Sequence, residues 1–181
     1  MEYLLKNNRD GSPAVYETTV GIVETKENIV FTFNAKHSRF YCPNNFYNGI
    51  HSCGDAVEIL IGTDQNRRVY YEIEVNPEGE IMLARMTYLG VDESGVKLDI
   101  EFIDKSDCFV SATVNKTEDG YFAEIKIDKK GLDLSAGDIF FNAYRLETDG
   151  GEMEKHLFAL NPTMCGRFHT PDKYVYLKNY V

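Results

Sequence analysis

Apolar and polar residues alternate at a period of two along most of this chain, most clearly from Gly54 to Met86. Val57, Ile59 and Ile61 alternate with Ala56, Glu58 and Leu60, the repeat of a strand whose successive side chains point to opposite faces. Tyr71, Ile73 and Val75 then alternate with Tyr70, Glu72, Glu74 and Asn76, which predicts a second strand with one apolar face and one face of carboxylates and a phenol. In Asn76-Pro77-Glu78-Gly79, proline stands where a type I turn needs φ of about −65° and glycine where the chain leaves the turn. A third strand, Ile81 to Met86, therefore returns antiparallel.

The same pattern extends outward from this centre. Ala14 to Thr25 and Ile29 to Ala35 are rich in β-branched and aromatic residues and flank a polar link, predicting a hairpin. Phe109 to Val114 and Tyr121 to Ile127 predict a second one, and Val96 to Ile103 an edge strand within the polar, irregular Thr87 to Asp107. Lys129 to Ala136 is the only stretch that reads as a helical turn. Ile139 to Leu146, His156 to Leu160 and Tyr174 to Leu177 close the set, with a charged tip from Glu147 to Lys155. About ten or eleven short strands with little helix describe an all-β fold, an antiparallel β-sandwich of jelly-roll or immunoglobulin-like kind. Lys36 to Cys53 keeps neither period; it is a long loop that either binds something or covers a sheet edge.

Composition narrows the partners. At 181 residues the chain reads as a single domain, 1–181, able to bury a core of its own. Its 29 acidic against 19 basic residues give a net charge of −10, which disfavours phosphate backbones and anionic membranes, so neither nucleic acid nor membrane is expected as a partner. The first residues carry no secretory pattern and no stretch is long and apolar enough to span a bilayer, so the chain as written reads as cytoplasmic, or as secreted if a leader has been trimmed. Cys42, Cys53, Cys108 and Cys165 form no CxxC pair and read as free thiols. Tryptophan is absent, so any aromatic platform must come from tyrosine or phenylalanine.

Four motifs in order, GDAVEI, YYEIEVNPEG, FFNAYR and a C-terminal NPT followed by FHTP and a last strand, resemble the family 9 carbohydrate-binding modules, a DOMON-like group of β-sandwiches. The resemblance spans roughly Ala14 to Leu177 and implies non-catalytic recognition of a mono- or oligosaccharide. It places the family's sugar-binding glutamate on Glu58, its asparagine on Asn142 and its second tryptophan on Phe168. The family's first tryptophan falls on Ser52 and its arginine on Glu74, so a ring and a guanidinium have to come from elsewhere. Phe46, Tyr47 and His51 are the ring candidates in the preceding loop, and Arg85 and Arg145 the cation candidates. Tyr144, on the strand of Asn142, is a further ligand candidate, and Tyr70 and Tyr71 are weaker ones. Each of these has an ordinary structural alternative: strand carboxylate, buried amide, core ring or surface ion pair. The resemblance also implies a structural calcium held by loop oxygens, with ligands that the sequence does not name.

Three other functions stay open. A diverged module serves as a protein-interaction or scaffold domain. A glycoside hydrolase needs two carboxylates about 5–9.5 Å apart, which Glu58 with Glu72 or Glu74 could supply. A haem-binding electron-transfer domain would use Met82 or Met86 with His169 as axial ligands. Neither Cys165 with His169 nor His51 with Cys53 completes a recognised structural zinc spacing.

Overall fold

The computed structural model describes residues 1–37, 39–51, 54–151 and 155–181. In chain order the strands are β1 (Glu2–Leu4), β2 (Lys6–Asn7), β3 (Thr18–Glu24), β4 (Asn28–Lys36), β5 (Ala56–Gly62), β6 (Val69–Val75) and β7 (Ile81–Asp92). They continue as β8 (Gly95–Phe102), β9 (Val110–Thr117), β10 (Gly120–Asp128), β11 (Phe140–Glu147), β12 (His156–Ala159) and β13 (Val175–Tyr176). The smaller sheet has the order β1-β3-β4-β10-β9. The larger runs β2-β12-β11-β5-β6-β7-β8, with β13 also paired to β11, and every named pairing is antiparallel. The all-β sandwich expected from the alternation is what forms. No helix among the described residues is long and apolar enough to cross a membrane.

The core lies where alternation directs it. Val20, Ile22, Phe31 and Phe33 of the smaller sheet meet Val57, Ile59, Ile61, Ile73, Val75 and Leu83 of the larger one. The turn between β6 and β7 also forms as expected: the Gly79 amide donates to the Asn76 carbonyl at 2.9 Å, and Gly79 adopts φ +86°, where a side chain would be strained. Asn76 Oδ1 accepts from the amides of Glu78 and Glu80, fixing the reversal.

Other elements differ from expectation. β7 runs on to Asp92 and pairs with β8 as one long hairpin, so Thr87 to Asp92 is strand rather than irregular chain. Lys129 to Ala136 forms hydrogen-bonded turns without a helix. β1 and β2, at three and two residues, are too short to show a period. The largest difference is on the outer face of the larger sheet. Leu60, Tyr70, Met82, Ala84, Met86, Phe140 and Tyr144 form a second buried cluster there with Ile50 and Tyr174, so β5 is buried on both faces.

Arg145, a cation candidate for the ligand, points to the opposite face. The two-residue period puts it beside Val57, in the interior. There its guanidinium donates to Thr18 Oγ1 at 2.9 Å and to the Lys36 carbonyl at 2.7 Å, pairs with Glu147, and lies 5.7 Å from the Tyr121 ring. Both partners of the pair are fully buried, which makes Arg145 a structural residue. Removing one member of such a pair strands a charge in low dielectric. Arg145→Leu is expected to lower stability by about 3–5 kcal/mol, read as an earlier urea midpoint with an unchanged slope.

Candidate functional site

β5 and β6 pair with Glu58 opposite Glu74 and Leu60 opposite Glu72, so three carboxylates share the outer face of the larger sheet. All three are nearly sealed, at 5%, 2% and 4% exposure for Glu58, Glu72 and Glu74. They line a depression of about 250 Å³ together with Phe168, His169 and Arg167. Larger clefts of about 290 and 320 Å³ lie around Thr63 and Asp64 and gather no comparable set.

Burial and mutual repulsion govern the titration of this face. Burial, followed by the charges of Glu72 and Glu74, holds the Glu58 carboxyl well above the ordinary glutamate value. Burial and Glu74 push Glu72 up to about 8. Two imidazoles respond in opposite directions. His51 Nδ1 lies 3.3 Å from Glu74 Oε1, and that carboxylate raises its pKa. His169 Nδ1 is hydrogen-bonded to the Tyr70 hydroxyl at 2.9 Å, and burial lowers its pKa to about 4. His169 Nε2 lies 3.5 Å from Glu72 Oε1, but with one group low and the other high this contact joins two neutral groups at pH 7 rather than an ion pair. Glu58 shares a carboxyl–carboxyl hydrogen bond with Glu72, while Glu58 Oε1 and Glu72 Oε2 are buried and accept from no protein N–H or hydroxyl.

The wall carrying Phe168 is built from β11. Asn142 donates to the Tyr144 hydroxyl and to the Asn161 carbonyl, each at 2.8 Å, and accepts from the amides of Asn161 and Ala143. Both donors and both lone pairs of its side-chain amide are thus engaged, leaving nothing for a ligand. Tyr144 in turn donates to the Phe168 carbonyl at 3.1 Å and stacks on its ring, centroids 4.2 Å apart. Asn142 and Tyr144 are positioning residues beneath the ring, not lining residues.

Of the other candidates, Arg85 lies beside Leu83 and Tyr71 on the opposite side of the sheet from the glutamates, 3.8 Å from Glu101, and lines the cleft of about 290 Å³. Tyr47 donates to the Ile103 carbonyl at 3.1 Å and anchors its loop to the end of β8 instead of lining the depression. Tyr71 shares the cleft of Arg85, and Tyr70 reaches the site only through His169. Ser52 and Cys53 fall outside the described residues, while Cys42, Cys108 and Cys165 are free thiols. Met82 and Met86 are fully buried in the outer-face cluster. Of the candidates, Glu58 and Phe168 line the depression, where Glu72, Glu74, His169 and Arg167 join them, and His51 adjoins Glu74. Glu72 and Glu74 were visible in the alternation; His51, His169 and Arg167 come from distant segments with no period to place them. Among the described residues, His51, Glu72 and Glu74 form the group of potential metal ligands close enough to share an ion, with ligand atoms within 4.8 Å of one another. An imidazole and two strand carboxylates do not match the all-oxygen loop site that the resemblance implies for calcium.

No protein-family model matches the chain, and no curated protein does. Solved structures do. A putative carbohydrate-binding protein from Bacteroides uniformis superposes with a TM-score of 0.78 at 14% identity, over 97% of this chain and 84% of that one. A family 9 carbohydrate-binding module from Caldicellulosiruptor kristjanssonii in complex with glucose gives 0.59 at 11% identity, over 96% and 82%. The cellotriose complex of a family 9 module from the same organism gives 0.52 at 12%, over 88% and 71%. The chain is thus similar in fold to the family 9 carbohydrate-binding modules.

The shifted groups set a pH dependence. Because Glu72 titrates near 8 instead of 4.5, the folded chain holds an extra proton between these values and loses stability as pH rises through them. His51, raised above 6.5, adds to that loss once the pH exceeds 6.5. His169, lowered from 6.5 to about 4, opposes it between those two values, where only the unfolded chain is protonated. Glu58, also raised, adds to the loss, so thermal midpoints should fall gently from about pH 4.5 to 6.5 and more steeply from about 6.5 to 8. In Glu72→Gln the upper decline should flatten and the midpoint at pH 8 should rise.

Proposed function

We propose that this chain, acting over residues 1–181 as one module, binds a mono- or oligosaccharide in the depression on the larger sheet and performs no chemistry on it. The observation that carries this reading is the pairing of a half-buried ring, Phe168 stacked on Tyr144, with the buried carboxyls of Glu58 and Glu72, whose Oε1 and Oε2 respectively accept from no protein N–H or hydroxyl. A sugar offers what such a site lacks: hydroxyl donors along its edge and C–H groups on its face for the ring. Arg167, which also lines the depression, brings guanidinium donors for ring or hydroxyl oxygens. The fold supports the same reading, since similar modules carry glucose and cellotriose. The neighbours are binding proteins and binding modules, which favours recognition over turnover.

Calorimetry against glucose, cellobiose, xylobiose and galactose tests the proposal. At least one should bind, and Glu58→Gln should weaken it about 2–10-fold, as expected for losing a hydrogen bond to a neutral carboxyl. Phe168→Ala should weaken it about 2–10-fold through loss of the stacked face. Absence of binding by every sugar would favour a protein-interaction domain, and turnover of an aryl glycoside would favour a hydrolase.

A further inference from the structure

We infer that His51, Glu72 and Glu74 form a binding site for a divalent cation of the zinc class, next to the depression that Glu72 and Glu74 line, with Glu58 beside it. This goes beyond carbohydrate recognition and does not depend on it. His51 Nδ1 and Glu74 Oε1 are 3.3 Å apart, close to the roughly 3.4 Å edge of a ligand tetrahedron with metal–ligand bonds of about 2.1 Å. The candidate ligand atoms of His51, Glu72 and Glu74 all lie within 4.8 Å of one another, near enough to share one ion.

A second observation points to a missing ligand. Glu58 Oε1 and Glu72 Oε2, in residues 5% and 2% exposed, accept from no protein N–H or hydroxyl, and the partner the two carboxyls do have is each other, through a shared proton that a cation would displace. Buried carboxylate oxygens need a donor or a cation. The donor set selects the class, because an imidazole nitrogen with carboxylates suits zinc and its neighbours better than calcium, which prefers six or more oxygens. Three protein ligands leave a fourth position for water or a hydroxyl. The supporting contacts of a metal site are also in place: the Tyr70 hydroxyl fixes His169 Nδ1, and His169 Nε2 stands 3.5 Å from Glu72 Oε1, where it orients that carboxylate.

The test is a calorimetric titration of the full, untagged, chelator-treated chain with Zn²⁺ in the absence of any sugar. One equivalent should bind, with Ca²⁺ and Mg²⁺ far weaker, and both His51→Ala and Glu74→Gln should weaken zinc at least about tenfold. His51 lies in a loop with its side chain 28% exposed, so its replacement leaves the sheet packing intact. No stoichiometric binding, equal binding by both variants, or calcium binding as tightly as zinc would each overturn the inference. Since no sugar is present, failure here leaves the carbohydrate reading standing, and failure of every sugar leaves this one standing.

Discussion

Three carboxylates held out of water on one face of a sheet are the constraint to which the rest of this structure answers. Glu58, Glu72 and Glu74 stand there because the strand period places them together, and a second apolar cluster seals that face. Burial of like charges is unfavourable, so the Glu58 and Glu72 carboxyls keep protons well above their ordinary range. A fold selected for stability alone would place apolar residues at these positions, as it does on the opposite face with Val57, Ile59, Ile61, Ile73 and Val75. The sandwich supplies a rigid platform, and the acidic face is where its stability is given up.

That platform separates roles that composition leaves mixed. Arg145 is interior and structural, bonded to Thr18, Lys36 and Glu147, although it follows directly after Tyr144. Asn142 saturates its own hydrogen bonds to hold Tyr144, which in turn holds Phe168. Two residues that resemble ligand contacts thus act one step behind the surface. Glu74, to which the sequence resemblance assigns the family's arginine position, adds a third carboxyl group to the face of Glu58 and Glu72 in place of a cation.

Alternation made the fold legible because side-chain direction in a strand depends only on local sequence. It placed the core of β5 and β6, the Asn76 turn and both hairpins. It did not show that the outer face is covered, because the cover comes from Ile50 and from Tyr174 and Phe168, more than 70 residues beyond β7, and long-range packing leaves no local period. Glu58 therefore read as a half-exposed strand residue when it is almost fully buried. The length of β7 was obscured by the polar residues after Met86, which suit an exposed hairpin as well as a loop. His51 and His169 stood out as residue types, yet only the tertiary structure sets both against the same strand, β6.

The most direct test is a ¹³C NMR titration of the glutamate side-chain carboxyls in the ligand-free and metal-free chain. The expected result is at least two glutamates still protonated above pH 6, with one midpoint near 8 that disappears in Glu72→Gln. Glutamates that all titrate near their ordinary value of 4.5 would show that water reaches this face, and would contradict the sealed acidic site.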